Sequence, residues 1–157
     1  RNRVSSISQA LVILGLDYLR EWIYLMGMQR ITMNDNVEIM RVSLVLAKFC
    51  RMLAMMIPQA ATNPDAFYLM GLLSMLRSVG PRDLEKTLKE FPLTDDIKNG
   101  IMCKGGLYSD VFKLAYCYEK GEWEVVDKIV EQYHLDSSKV SDAFLKCVKE
   151  SEHIKML

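Results

Sequence analysis

Apolar residues recur along this chain at three- and four-residue intervals, and nowhere in the strict alternation of a half-buried strand. The pattern predicts helices almost from end to end. Ser5 or Ser6 can cap a short helix over residues 7–14 that stops at Gly15, and Asp17 opens another to about Met28. Asn34, Asp35 and Asn36 start a long helix that ends before Pro58. Asn63 followed by Pro64 is a cap and first-turn signature for a helix to about Arg77, closed by Gly80 and Pro81. Residues 82–90 form a short amphipathic helix ended by Phe91 and Pro92. Thr94, Asp95 and Asp96 begin the next, with Gly105 and Gly106 as its C-terminal stop. Helices over residues 107–120, ending at Gly121, and 122–133 follow. Asp136, Ser137 and Ser138 cap the last one.

Two of these helices read as central. Over residues 38–57 the charges are Glu38, Arg41, Lys48 and Arg51. At 100° per residue they fall in one stripe about 140° wide, and the rest is apolar. Residues 66–76 carry no charge at all. Both helices need wrapping by the others, which show single apolar stripes: Val111, Leu114, Ala115 and Tyr118; then Trp123, Val126, Ile129 or Val130, and Tyr133; then Val140, Phe144, Cys147 and Val148. The fold class is therefore all-α, a compact bundle of about eight to nine helices around a buried central pair. The chain reads as one domain over residues 1–157, with residues 134–157 as a C-terminal helix.

Composition supports a globular domain. The 157 residues are half hydrophobic, with zero formal net charge, and a chain of this size buries roughly 70% of its unfolded surface. A neutral balance argues against a nucleic-acid module, which usually needs a basic face. The first 78 residues carry 8 basic and 5 acidic groups and the rest 12 and 15, an offset explained by two ordinary solvated surfaces. The longest uncharged runs, residues 4–16 and 52–64, are 13 residues, short of the ~20 a membrane-spanning helix requires. Arg1, Asn2 and Arg3 before an apolar run imitate a signal peptide, but no small-residue cleavage site follows. The chain reads as a piece of a longer protein.

The chemistry-bearing residues are sparse. Cys50, Cys103, Cys117 and Cys147 sit in apolar surroundings with no Cys-x-x-Cys pair, the pattern of free thiols in a reducing, cytoplasmic compartment. The two histidines are His134, at a helix end, and His153, which makes a Glu-x-x-His pair with Glu150. That pair binds metal only with carboxylates and imidazole from other helices, so a solvated helix face is the simpler role. No phosphate loop or nucleophile elbow occurs. Tyr116, Tyr118 and Trp123 lack the interleaved basic residues of a nucleic-acid platform. Seven of the 11 methionines lie between Met26 and Met56; they fill core gaps, unless an exposed cluster makes them a partner groove.

Several phrases together resemble the HDOD domain family. Ser5-Ser6-Ile7-Ser8-Gln9-Ala10-Leu11-Val12-Ile13-Leu14-Gly15, continued by Leu19, Arg20 and Trp22, is similar to its opening. Arg41-Val42-Ser43-Leu44-Val45-Leu46-Ala47-Lys48-Phe49-Cys50 resembles its next long helix. Ala66-Phe67-Tyr68-Leu69-Met70-Gly71-Leu72-Leu73-Ser74-Met75-Leu76 is similar to the helix that carries Phe-Leu-x-Gly-Leu-Leu-His-Asp-Ile in typical members. Phe91-Pro92-Leu93-Thr94, Ile97-Lys98 and Ala115-Tyr116-Cys117-Tyr118-Glu119-Lys120-Gly121-Glu122-Trp123 look like the subgroup fused behind an EAL domain, a type that binds or cleaves cyclic di-GMP. The resemblance covers residues 4–133.

HDOD domains are relatives of the HD and HD-GYP metal phosphohydrolases, whose metals sit on a His of one helix and a His-Asp dipeptide of the next. By this resemblance Val42 takes the place of the first His, and Ser74 and Met75 that of the dipeptide. None of the three is a good ligand for a hard divalent metal, and two-metal phosphoester chemistry needs charge there. The resemblance thus implies a non-catalytic signalling, output or adaptor domain. No catalytic residue, cofactor or metal is expected. The expected partner is a protein or an upstream EAL domain, with a homodimer possible; no nucleic acid or membrane span is expected. Alternatives are a residual HD-type hydrolase, a small-molecule sensor in the former metal pocket, and a helical-repeat scaffold. The last is suggested by Ala115, Tyr118, Gly121 and Trp123, but a 34-residue shift reaches Pro81, Leu84, Thr87 and Lys89, which do not repeat the pattern. Ser74 would line such a pocket; its simplest role is a hydroxyl bonding back to the carbonyl four residues earlier.

Overall fold

The computed structural model describes residues 33–152. They form seven α-helices and one 3-10 segment: α1 Met33–Met56, α2 Pro64–Leu72, the 3-10 turn Leu73–Val79, α3 Pro81–Glu90, α4 Asp95–Ile101, α5 Gly106–Lys120, α6 Trp123–Gln132 and α7 Ser137–Glu152. No strand occurs among the described residues, and the all-α class holds. The helices expected over residues 7–14 and 17–28, together with His153, lie outside the described residues.

The sequence pattern of α1 translates directly into its packing. Val45, Leu46, Phe49, Cys50, Leu53 and Ala54 are buried. The polar stripe faces outward and finds partners: Arg41 grips Glu38 with two hydrogen bonds, Lys48 lies 3.5 Å from Glu150 of α7, and Arg51 lies 3.5 Å from Asp65 of α2. These pairs are largely exposed and contribute little beyond orientation. Pro58 has no N–H to continue the ladder. The chain turns instead on the Ile57 carbonyl, which accepts from Ala60 and Ala61 at 2.9 Å each.

Helix α2 begins with Pro64 at its first turn, as the sequence predicts, although the Asn63 side chain makes no capping bond. Ala66, Phe67, Leu69, Met70 and Gly71 are buried. Gly71 lies against α1: a Cβ there would stand 2.6 Å from the Leu46 carbonyl oxygen and 2.7 Å from the Ala47 backbone. The two helices meet backbone to backbone, which only glycine permits. The α-helix expected to reach Arg77 tightens after Leu72 into a 3-10 turn and ends at Gly80, φ 94°. Such tightening at a helix C-terminus is common, and nothing in the local apolar pattern announces it.

Three helix ends share one device. At α4, Lys104 donates to the Asn99 carbonyl and Cys103 to Gly100; at α5, Glu122 donates to Cys117 and Gly121 to Tyr118; at α6, Leu135 donates to Val130 and His134 to Glu131. These paired bonds define Schellman turns, which need a left-handed residue at their centre. Gly121 (φ 74°) supplies it as expected, but the others use Cys103 (φ 56°) and His134 (φ 51°). Gly105 and Gly106 are therefore not the stop of α4; they open α5. The start of α7 is capped as predicted, with Asp136 Oδ1 accepting from the Ser138 and Lys139 amides at 2.9 and 3.4 Å.

Helices α2, α5 and α7 and the 3-10 turn all pack on α1, so the buried centre is the α1–α2 pair. Phe49 is wholly buried and meets Tyr118 of α5 and Phe144 of α7 edge-on, at 5.5 and 5.2 Å between ring centroids. Trp123, expected on the α6 core stripe, is 54% exposed and touches Tyr118 only edge to face.

Candidate functional site

The three positions singled out in the sequence lie where α1 meets the 3-10 turn. Ser74 is buried, and its hydroxyl donates to the hydroxyl of Ser43 at 3.5 Å. The partner is thus a side chain of the neighbouring helix, not the carbonyl four residues back. Ser43 is one residue from Val42 and is equally buried. Val42 and Met75 are half-buried and pack against the hydrophobic core. The donor set at this junction is two neutral hydroxyls and a thioether. It does not fit a hard divalent metal, for which carboxylate, imidazole or carbonyl donors are needed. Among the described residues no three His, Cys, Asp or Glu side chains come together in a way that could hold a metal ion.

Arg77, one turn beyond Ser74, is a residue that the sequence reading passed over. Its guanidinium lies 5.1 Å from the Tyr116 ring centre and 5.6 Å from that of Phe112, both on α5. Its Nη1 donates to the Ile101 carbonyl at the end of α4 and approaches Cys103 Sγ at 3.7 Å. One cation thus ties the 3-10 turn to α4 and α5, by stacking and by bonding a C-terminal carbonyl. The available signal was its position as the first charge after eleven uncharged residues.

The remaining candidates separate. His134 is exposed and serves the α6 turn. Glu150 faces Lys48. Cys50, Cys117 and Cys147 are buried, Cys103 is half-buried, and all four are free thiols. Burial pushes the Cys147 thiol up to about 11; burial, helped by the hydrogen bond to Glu122, does the same for Cys117; burial drives Cys50 further in that direction. At neutral pH these three are packing groups rather than thiolate nucleophiles. Of the described methionines only Met55 is strongly exposed, at 63%, while Met40, Met52 and Met56 are half-buried and Met70 is buried. A Met-lined surface cluster does not form among them.

The HDOD domain model matches residues 1–81, half of the chain. The chain belongs to the HDOD domain family. Two curated relatives extend the likeness over nearly its whole length. The uncharacterized protein YuxH of Bacillus subtilis is 24% identical over 150 residues, covering 94% of this chain and 36% of the relative. The cyclic di-GMP phosphodiesterase CdgJ of Vibrio cholerae is 29% identical over 154 residues, covering 98% of this chain and 35% of the relative. The chain spans about a third of the length of these relatives. No solved structure matches it. No helix among the described residues of this HDOD domain is long and apolar enough to cross a membrane.

Proposed function

We propose that this HDOD domain is a non-catalytic signalling module, the output or adaptor part of a cyclic di-GMP-related protein, and that it acts by contacting a protein partner or an EAL domain. The observation that carries the reading is the junction of α1 and the 3-10 turn. Val42 and Met75 pack against the hydrophobic core, and the Ser74 hydroxyl reaches that of Ser43 at 3.5 Å. A hydrolytic HD site would need charged or imidazole ligands at these positions. The link to cyclic di-GMP rests on the likeness to CdgJ, whose name describes a phosphodiesterase and of which this chain matches 35%. Two thirds of that relative lie beyond the match, ample room for its catalytic part. Free thiols fit a cytoplasmic setting for the module.

The test has two arms. Purified domain is analysed for bound metal and assayed for cyclic di-GMP turnover; neither is expected, and turnover accompanied by two bound metals overturns the reading in favour of a residual HD hydrolase. Capture of partners by the domain is then compared with capture by its full-length parent. Partners retained by the domain locate binding here. Loss of all of them, with no effect of deleting the domain on the parent's turnover, removes the signalling role.

A further inference from the structure

The 3-10 turn, α3 and the α4–α5 turn enclose a cleft of about 200 Å³, lined by Arg77, Leu84, Glu85, Met102 and Lys104. It is separate from the junction of Ser43 and Ser74. Its charges are unbalanced. Arg77 is half-buried, yet no carboxylate lies within ion-pair distance of it among the described residues; its partners are two aromatic rings, a carbonyl and a thiol. The carboxylate in the lining, Glu85, is already shared on one oxygen by Lys104 at 3.4 Å and Lys89 at 3.7 Å. Half-buried charges are usually paired, because removal from water costs them hydration that a neutral partner only partly replaces. A guanidinium also carries five donors, of which Nη1 is engaged. Stacking on Tyr116 and Phe112 holds the guanidinium in place, so an arriving anion meets a positioned fork. Leu84 and Met102 give the same cleft an apolar wall.

We propose that this cleft binds an oxyanion, the phosphate or carboxylate group of a ligand, between Arg77 and Lys104, with Leu84 and Met102 receiving the apolar part next to it. Glu85 competes with the ligand for Lys104 and sets the affinity. This site stands apart from the signalling reading and does not depend on it.

The test titrates the full 157-residue chain with inorganic phosphate, acetate and chloride at matched ionic strength, following the Arg77 side-chain and Met102 and Lys104 amide resonances. Saturable shifts with phosphate or with acetate, absent with chloride, are expected, and the anion that saturates identifies the class. Because Arg77 also ties α4 to α5, the variants are made on the rim. Lys104→Gln weakens binding and Glu85→Gln tightens it, each by about two- to fivefold, the range of a partly exposed ion pair. A purely structural Arg77 gives neither effect. Shifts that stay linear and equal in all three salts overturn the proposal, as does an affinity unchanged in both rim variants.

Discussion

Where α1 crosses α2 the two backbones touch. A single added methyl at Gly71 would fall within 2.7 Å of Leu46 and Ala47. Where α6 and α7 close over the same core, contact is looser. Val126, Ile129, Val140, Ala143 and Cys147 are buried, but Trp123 and Leu145 on the same two helices are more than half exposed. The crossing is held by shape, with almost no charge and no room. The shell is held by stripes, a side-chain cap at Asp136 and a left-handed turn at His134. Interiors packed to crystal density transmit a misfit that a solvated face absorbs, so substitutions at the two places should differ in size and even in sign.

The largest effect is expected at Gly71. Its two neighbours are backbone, which cannot swing aside, so Gly71→Ala should destabilise by about 3 kcal/mol or more and separate α1 from α2. Urea unfolding measures it; a loss under about 1 kcal/mol would mean that the crossing is not rigid. Next comes the hydroxyl pair beside it. Ser43→Ala strands the buried Ser74 hydroxyl and should cost about 1–2 kcal/mol. The double change Ser43→Ala with Ser74→Ala should cost less than the sum of the two single changes, because no orphan remains. Full additivity would show that the pair at 3.5 Å contributes nothing to the junction.

On the shell side the sign should reverse. His134 holds a φ of 51° that costs a side-chain-bearing residue about 1 kcal/mol, and glycine accepts it freely. His134 is exposed, so little contact is lost. His134→Gly should therefore raise the unfolding free energy in urea titrations slightly, by up to about 0.5 kcal/mol after the extra chain entropy of glycine is subtracted. A fall would mean that the imidazole makes a contact on which the turn depends.

The same contrast decides what could be read from the chain beforehand. The α1 stripe, the Asn63–Pro64 start, the Gly121 stop and the Asp136 cap are local rules, each set by a few neighbouring residues. Val42 lies on α1 and Ser74 and Met75 on the 3-10 turn, and the Ser74–Ser43 contact brings these two elements together. What escaped was tertiary. Cys103 occupies a left-handed turn although two glycines stand nearby, because the backbone bonds to Asn99 and Gly100 place the turn there. The second half of the helix beyond Leu72 winds more tightly than its apolar pattern suggests. Trp123 fits the period of α6 but sits at its first position and is more than half exposed. The Ser43 partner of Ser74 and the rings beneath Arg77 come from other helices, and no spacing along the chain could reveal them.

The smallest effect sharpens the comparison through pH. Tyr133, at the end of α6, donates its hydroxyl to Asp110 Oδ2 of α5 at 2.5 Å. Burial first, then this hydrogen bond and the carboxylate's charge, push the phenol up to about 12 from its ordinary value near 10. Below pH 10 the phenol is protonated in the folded and the unfolded chain alike, and its contribution is fully present. Between pH 10 and 12 the unfolded chain releases its proton first, so it binds fewer protons than the folded one and stability falls as pH rises. Above pH 12 both forms are ionised and the contribution is gone. Tyr133→Phe should lower stability slightly at pH 8, where the bond to Asp110 is lost, and should flatten the decline between pH 10 and 12. The decline should not vanish, because burial also raises Tyr68 and Tyr108. Urea midpoints at pH 8, 10 and 11 for both proteins decide it: parallel declines would mean that the α5–α6 contact at Tyr133 opens to water before the core unfolds, which would make this shell looser still than the crossing it covers.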